Sequence, residues 1–289
     1  MNDIAIVTDT TADIPEDLAR DNNIAVIPLY VGYEVKLYKE GKEISKQDVY
    51  NKLESGIKIN TSAPPIGDFV NLYENLVNNK KKNLIYSIHL SSKLSGTINY
   101  ANQAKKFFPH TNIKVIDTKN VTISLGFIAL EAARAAKRGL SEEKIDQLID
   151  ILIKESKFFG TIENFKYLFS GGRAPFLGKS LGSAIKLKPI LTIDKNGKVK
   201  LKKFTRSKKN AIKELYIQAK KAASAVYENK IGIFYGSEKN LALELEKMIR
   251  EDKDIKFDEL ILTEITTIMS AHTGPGIWGV GICPKIDLY

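Results

Sequence analysis

The chain has 289 residues, of which 43% are hydrophobic and 27% charged. This is the composition of a folded globular protein, so a disordered chain is excluded, and the length suits one large domain or two smaller ones. The single cysteine and the three scattered histidines exclude a disulfide framework and a Cys/His zinc cluster.

The first ten residues are typical of a buried strand and not of a signal peptide. No stretch approaches the 18 uninterrupted apolar residues that a membrane-spanning helix requires. We therefore expect a cytoplasmic protein with no transmembrane segment.

The net charge of +10 favours anionic partners, such as nucleic acid, lipid headgroups, an acidic protein or a small acid. The basic residues are spread out, and clusters such as 80–82, 202–203 and 208–209 fall where loops and helix starts are expected. No zinc finger, RNA-binding signature or arginine-rich arm accompanies them. We expect no nucleic-acid binding and at most a transient contact with a membrane surface.

Strand and helix patterns alternate through the first half of the chain. The predicted strands are 4–8, 24–31, 83–89 and 113–116, with a hairpin at 33–43 that turns at Glu40–Gly41. The predicted helices begin near Pro15 and cover 45–56, 67–79, 97–108, 122–137 and 141–156. Such alternation indicates a parallel sheet covered on both faces, with ligand sites beyond the carboxyl ends of the strands. The polar loops at Thr61 and at 91–97 are expected at that position.

The second half has a different pattern. Strands are predicted at 158–163, 188–193, 198–205, 231–235, 259–265 and 277–283, with a Gly-rich loop before the last strand. Two helices are predicted: one at 238–250, and a long amphipathic helix whose apolar face holds Ile212, Leu215, Tyr216, Ala219, Ala223 and Val226. Asn196-Gly197 favours a type I′ turn between 188–193 and 198–205. We predict a two-domain α/β protein: an N-terminal parallel-sheet, Rossmann-like α/β domain at 1–156 and a C-terminal α+β domain at 157–289.

Four sequence motifs resemble catalytic loops but lack the context that these need. Gly178–Gly182 matches G-x-S-x-G without a preceding strand. Residues 172–180 have one residue too many for a Walker A loop, and 274–279 match G-x-G-x-x-G with no room for a helix and strand afterwards. Residues 9–13 resemble a phosphatase aspartate loop, but the second aspartate comes two positions late.

The remaining polar candidates are hydroxyl, arginine and histidine side chains at loops. They are Thr61 and Ser62, then Ser91, Ser92, Ser95 and Thr97, then Arg173, and finally His272 and Thr273. Hydroxyls and N–H groups at a helix start suit an anion, and Arg and His add charge-assisted hydrogen bonds. Alternatively, Ser95 and Thr61 or Ser62 serve only as helix N-caps, Arg173 lies on the surface, and His272 is a core residue. Spacing alone indicates a two-domain α/β protein that binds a small anion.

Seven segments, in order along nearly the whole chain, resemble the DegV family of bacterial fatty-acid-binding proteins. They are 7–15 (VTDTTADIP), 61–65 (TSAPP), 88–97 (IHLSSKLSGT), 115–118 (VIDT), 169–173 (FSGGR), 188–191 (KPIL) and 272–276 (HTGPG). The ordered set is more specific than any single segment. The family usually has Thr-Ser-Gln-Pro-Ser where this chain has Thr-Ser-Ala-Pro-Pro.

The resemblance implies a long-chain fatty acid, such as palmitate, bound between two domains. It implies that Thr61 and Ser95 hold the carboxylate, with Arg173 and His272 near the headgroup and Ser62, Ser92, Thr97 and Thr273 in secondary positions. It further implies a carrier in fatty acid metabolism that is not itself an enzyme, needs no cofactor or metal, and presents the acid to a separate fatty acid kinase.

A buried acyl chain needs an apolar tunnel, for which the second half offers many candidates. These are Phe158, Phe159, Ile162, Phe165, Leu168, Phe169, Phe176, Leu177, Leu181, Ile185 and Leu187, any of which equally suits ordinary core. Two alternatives stay open: an enzyme for a small phosphorylated or carboxylated substrate with His272 as acid/base, and a nucleic-acid binder driven by charge.

Overall fold

The computed structural model describes residues 3–163, 165–173, 187–223 and 228–287. The strands are β1 (Ile4–Asp9), β2 (Ile24–Ile27), β3 (Tyr30–Tyr33), β4 (Lys36–Lys39), β5 (Asn60–Ser62), β6 (Leu84–His89), β7 (Asn112–Asp117), β8 (Lys157–Thr161), β9 (Lys188–Ile193), β10 (Val199–Thr205), β11 (Asn229–Tyr235), β12 (Phe257–Glu264) and β13 (Trp278–Pro284). The helices are α1 (Glu16–Asp21), α2 (Lys46–Glu54), α3 (Ile66–Glu74), α4 (Thr97–Lys105), α5 (Thr122–Lys137), α6 (Glu142–Glu155), α7 (Lys166–Ser170), α8 (Lys208–Ala222), α9 (Lys239–Glu251) and α10 (Thr267–Thr273). A 3₁₀ turn at Thr10–Ala12 follows β1, and a π-helical turn at Asn75–Asn79 follows α3.

The first sheet has the strand order β2-β1-β6-β7, and every neighbouring pair is parallel. Alternate residues of β1 point to opposite faces of the sheet. Val7 packs in a cluster with Phe69 and Tyr73 of α3, whereas Ile6 packs on the other face in the cluster that contains α5. This period of two is what a strand covered on both sides requires. The predicted parallel sheet is confirmed.

The second sheet is mixed, with the order β10-β9-β8-β13-β11-β12. β11 and β12 are parallel, and the other neighbours are antiparallel. Helices α8 and α9 cover one face, where Ile212, Leu215 and Ala219 are buried as the amphipathic pattern predicts. Val226, which the same pattern included, lies outside the described residues.

Helix α5 lies between the two sheets and is buried on nearly every side. Its predicted bounds, 122–137, are confirmed. The helix comes close to the second sheet because Gly232 has no side chain: a Cβ there would overlap the side chain of Ile123. One hydrophobic core therefore runs through both halves of the chain, from Ile6 to Phe234.

A third, small sheet has the order β4-β3-β5 and carries Thr61 on an edge strand. Helix α10, from near the end of the chain, packs against β3 and β5 of this sheet, and α2 packs against α10 and shares a buried cluster with Val31 of β3. Ile268 and Ala271 of α10 share a buried cluster with Val31 and Val49. The second half of the chain thus supplies part of the packing around a sheet of the first half.

Local patterns were wrong at three strand or turn positions. The predicted strand 24–31 divides at Pro28, which lacks an N–H, into β2 and β3 of different sheets. The β3–β4 hairpin turns at Glu34–Val35 and not at Glu40–Gly41. The turn at 194–197 is not type I′, because Gly197 has a positive φ of 81° while Asn196 does not. Instead the Asp194 carboxylate accepts the N–H groups of Asn196 and Lys198.

The predicted Gly-rich loop before the last strand contains the helix α10, and the helix α7 was not predicted. Both helices have seven or fewer residues. Helices this short are unstable by themselves, so tertiary contacts determine whether they form.

Candidate functional site

A cavity of about 310 Å³ lies between the loops that follow strands of the first sheet and strands β8, β9 and β10 of the second sheet. Its apolar walls come from both halves of the chain, and its polar groups belong to the predicted site loops. The lining residues are Thr11, Leu29, Thr61, Ser62, Ala63, Leu90, Leu94, Ser95, Gly96, Tyr100, Val121, Phe158, Gly160, Leu168, Arg173, Leu191, Ile193, Val199, Ile268, Met269, His272, Thr273 and Ile277. All four principal predicted residues, Thr61, Ser95, Arg173 and His272, line this one cavity.

Thr61 and His272 are in direct contact. The Thr61 Oγ1 atom, on strand β5, lies 2.8 Å from Nε2 of His272 in the last turn of α10. The capping alternative for Thr61 and Ser62 is wrong, because Pro65 occupies the N-cap of α3 and neither hydroxyl bonds there. Thr61 is instead part of a polar pair that faces the cavity.

The His272 ring is in an environment that keeps it neutral. Burial lowers its pKa to about 4, and the nearby Arg173 charge adds to this effect. Its Nδ1 atom is buried and has no hydrogen-bond partner among the described residues. Since a proton on Nδ1 would be a buried donor without an acceptor, we assign the proton to Nε2. His272 then donates to Thr61, and the Thr61 hydroxyl can donate to a ligand.

The ring also needs the space left by a glycine. A Cβ on Gly171 would lie 2.7 Å from Nδ1 of His272, closer than real contacts of this kind. Gly171 of the Gly-Gly turn before Arg173 is therefore also needed to make room for the His272 ring.

Ser95 stands at the start of α4 and also lines the cavity. Its Oγ lies 2.9 Å from Oγ1 of Thr97 and accepts the Thr97 N–H at 3.3 Å. The N-cap residue itself, Gly96, offers no side-chain cap. The capping alternative for Ser95 is thus partly right, and the positive end of the α4 dipole lies next to the same hydroxyl.

Arg173 approaches Ser95 from the other half of the chain. Its Nε donates to the Leu94 carbonyl at 3.2 Å, and Nη1 donates to the Gly171 carbonyl at 2.6 Å. Burial lowers the pKa of the guanidinium, which nevertheless stays a cation at neutral pH. The cavity therefore combines a fixed positive charge with the hydroxyls of Thr61 and Ser95.

The four secondary residues differ in position. Ser62 and Thr273 line the cavity, and their hydroxyls donate to the carbonyls of Ala63 and Met269 at 3.1 and 2.8 Å. Thr97 is fully buried behind Ser95 and is not part of the lining. Ser92 is exposed and donates to Asp117 at 2.6 Å, away from the cavity.

The predicted tunnel residues are only partly brought together. Phe158 and Leu168 line the cavity, whereas Phe159, Ile162 and Phe165 are ordinary core residues outside it. Leu187 also lies outside the lining. Phe176, Leu177, Leu181 and Ile185 lie outside the described residues, as does the Phe169 side chain. Sequence reasoning missed the apolar wall from the first half, such as Leu29, Leu90 and Val121, although two of these follow a strand end.

Two motifs set aside on sequence grounds have structural roles. Asp9 accepts hydrogen bonds from the backbone N–H groups of Thr11 and Leu90 and lies 2.9 Å from Nδ1 of His89. Gly274, with a φ of 77°, ends α10 and leads into β13. The G-x-S-x-G match and most of the Walker-like stretch lie outside the described residues.

Within the part of the chain that the structure describes, no three His, Cys, Asp or Glu side chains are grouped so as to hold a metal ion. Over the same residues, no helix is both long and apolar enough to cross a lipid bilayer.

Several curated proteins and solved structures are similar to this chain over nearly its whole length. Among the curated relatives, two examples each match over 97% or more of this chain. A DegV domain-containing protein of Caldanaerobacter subterraneus is 31% identical over 281 residues, which cover 98% of that protein. Protein DegV of Bacillus subtilis is 30% identical over 285 residues, which cover 99% of it.

Solved structures share the fold over 98% of this chain and 99% of theirs. A DegV family protein of Thermus thermophilus, described as binding fatty acid, superposes with a TM-score of 0.91 at 26% identity. DegV of Bacillus subtilis, described as a fatty-acid-binding protein, superposes with a TM-score of 0.86 at 30% identity. The family model described as an uncharacterised protein of the DegV family matches residues 3–285. The chain therefore belongs to the DegV family.

Proposed function

We propose that the protein binds a long-chain fatty acid such as palmitate, with the acyl chain buried and the carboxylate held by Thr61 and Ser95. The observation that carries this proposal is one cavity with mostly apolar walls in which two hydroxyls, Arg173 and His272 come together. The relatives described as fatty-acid-binding proteins support the same substrate class. In this arrangement Arg173 supplies charge, and His272 orients the Thr61 hydroxyl.

The energetics suit such a ligand. Roughly 14 buried methylenes at about 0.8 kcal/mol each gain about 11 kcal/mol on leaving water. Association costs at least about 4 kcal/mol, which leaves at most about 7 kcal/mol from the acyl chain alone, or a Kd of roughly 10 μM. A carboxylate buried without donors would be strongly penalised, so the hydroxyls and the cation fix its orientation more than they add affinity.

The experiment is native mass spectrometry of the protein purified from cells, followed by addition of palmitate to delipidated protein. We expect a mass increment of one fatty acid per chain before delipidation and its return afterwards. Hexadecanol, with the same chain and no carboxylate, is the matched control and should bind more weakly. Ligand-free protein that takes up no added palmitate would contradict the proposal.

We also propose that the protein is a carrier that presents its acid to a separate fatty acid kinase. Ser95 is followed by two exposed lining residues, Gly96 and Tyr100, so the carboxylate end lies next to the protein surface. Palmitate should be converted to its acyl phosphate only when a fatty acid kinase, ATP and this protein are all present. Equal conversion without this protein would rule out the presenting role.

The alternative, an enzyme with His272 as acid/base, draws on the Thr61–His272 pair, which resembles a hydroxyl next to its base. The low pKa of the ring, about 4, makes it a weak base at neutral pH and argues against this role. Turnover of a small phosphate or carboxylate ester by the protein alone, lost in His272→Ala, would favour the enzyme.

A further inference from the structure

Helix α10 connects the candidate carboxylate site to two buried acidic residues of the first half. Its first N–H groups are accepted by carboxylates that are remote in sequence. Asp13 Oδ1 accepts the Thr266 N–H at 2.8 Å, and Glu40 Oε1 accepts both the N–H and the hydroxyl of Thr267 at 3.2 Å. Thr266, the N-cap residue, makes no side-chain cap of its own. The cap of this helix is therefore supplied from the other half of the chain.

The far end of the same helix carries His272, whose Nε2 contacts Thr61. His272 comes five positions after Thr267, which corresponds to a rise of about 7.5 Å along the helix axis. Ile268 and Ala271 hold the side of the helix against the small sheet, in a cluster with Val31. Apolar contacts of this kind are non-directional, so they limit the distance of the helix from the sheet better than its position along its axis. The hydrogen bonds at its start are directional and can fix that position.

Asp13 and Glu40 are in an unusual place for carboxylates, since each is only 4% exposed. Burial is the main cause that raises the pKa of both groups, and the Lys46 charge opposes it. Lys46 itself contacts Glu264, at 3.2 Å to the carbonyl and 3.4 Å to the carboxylate. Burying such groups is costly unless they accept good hydrogen bonds. Glu40 accepts hydrogen bonds from Thr267 and from the Thr10 side chain, and Asp13 Oδ1 accepts the Thr266 N–H. The Asp13 Oδ2 atom is buried and has no hydrogen-bond partner among the described residues.

We propose that Asp13 and Glu40 are positioning residues for the carboxylate site: by capping α10 they set the place of His272 and thus the direction of the Thr61 hydroxyl. This inference rests on the proposed function, because it concerns how the same site recognises the acid.

The test compares Asp13→Leu, Glu40→Met and the double variant with Glu264→Met, since these side chains keep the approximate shape and cannot accept a hydrogen bond. Glu264 bonds Lys46 and Tyr50 and not the start of α10, so it is the matched control. For the double variant we expect palmitate binding to weaken about tenfold while hexadecanol binding changes less than twofold. Glu264→Met should leave the ratio of the two affinities unchanged.

A second measurement does not depend on fatty acid binding. The chain has three histidines, so the His272 ring can be followed by NMR once His272→Gln identifies its signals. The pKa of His272 should rise in the double variant, since a loosened helix end lets water reach the ring. In a double-mutant cycle, Asp13→Leu should add little to the loss caused by Thr61→Val, because both act through one hydroxyl.

Equal losses of palmitate and hexadecanol affinity, together with unchanged His272 signals, would overturn the inference and leave Asp13 and Glu40 with a role in stability alone. Wild-type protein that binds neither ligand would contradict the proposed function. In that case the His272 signals still decide this inference: a shift in the double variant supports it, and no shift overturns it.

Discussion

The Thr61 hydroxyl and the His272 ring, 211 residues apart in the chain, lie 2.8 Å from each other at the wall of one cavity. The pair joins an edge strand of the small sheet to the last turn of α10. Nδ1 of His272 has no hydrogen-bond partner among the described residues, so the hydrogen bond of the ring is the one between Nε2 and the Thr61 hydroxyl. Because the Thr61 oxygen accepts a hydrogen bond from His272, its own hydrogen is free to point toward a ligand in the cavity. A threonine without this partner would have no preferred orientation of its hydroxyl.

Replacing Thr61 by valine removes this donor and keeps the shape of the side chain. We expect palmitate affinity to fall by about 1–2 kcal/mol, roughly tenfold, as for the loss of a hydrogen bond to a charged group. Thr61→Ser should restore most of the affinity. Isothermal titration calorimetry with palmitate and hexadecanol measures the effect, and an equal change for both ligands would show that the hydroxyl does not bind the carboxylate.

Ser95→Ala tests whether this hydroxyl is a ligand or only a cap. Its Oγ accepts the first helical N–H of α4, so the free energy of unfolding should fall by about 1 kcal/mol. Palmitate affinity should fall as well if Ser95 also binds the acid. Ser92→Ala is the control, since Ser92 belongs to the same loop but faces Asp117 at the surface. A loss of stability with unchanged affinity would leave Ser95 as a cap alone.

His272 should make the stability depend on pH in mildly acidic solution. Its pKa is about 4 in the folded chain and 6.5 as an ordinary value, so between these values the unfolded state binds more protons. The stabilising contribution is present above pH 6.5 and is lost as the pH falls toward about 4, by at most about 3 kcal/mol. Chemical denaturation of wild type and His272→Gln at several pH values measures it. The difference between the two proteins should shrink or reverse with falling pH, and a constant difference would contradict the prediction.

Gly197 is predicted to be essential to a contact between the two halves of the chain. The Ser91 hydroxyl donates to the Gly197 carbonyl at 2.8 Å, and a Cβ on Gly197 would fall on that hydroxyl. Gly197→Ala should therefore destabilise the fold by about 1–3 kcal/mol through overpacking and backbone strain.

Gly41→Ala separates the two causes, because Gly41 has a similar positive φ, 71°, and nothing near its missing Cβ. Thermal unfolding should show a smaller loss for Gly41→Ala than for Gly197→Ala. Equal losses would mean that backbone strain alone matters and that the turn does not depend on its contact with Ser91.

Local sequence was sufficient for the long elements. The strand character of the apolar run at β1 and the bounds of α5 follow from patterns within a few residues, because burial on one or two faces is encoded by neighbours along the chain. The rule that ligands bind beyond the carboxyl ends of parallel strands also indicated the loop at 91–97, of which Leu94, Ser95 and Gly96 line the cavity. The same prediction was wrong about the position of Thr61, which lies on strand β5 of the small antiparallel sheet and not in a loop after a parallel strand. The local pattern made Arg173 and His272 candidates for an anion site, and the resemblance to the family placed them near the same headgroup as Thr61 and Ser95.

Only the tertiary structure decided which of the polar side chains and helix ends come into contact. Helix α10 is too short to form by itself, and its cap comes from Asp13 and Glu40, more than 220 residues away. The cavity wall comes from both halves because α5 is shared between two sheets, which no local pattern encodes. The sequence by itself determined the long elements and the chemistry of their ends, since those depend on neighbouring residues. The contact of Thr61 with His272 was decided by packing, because it depends on how distant elements come together.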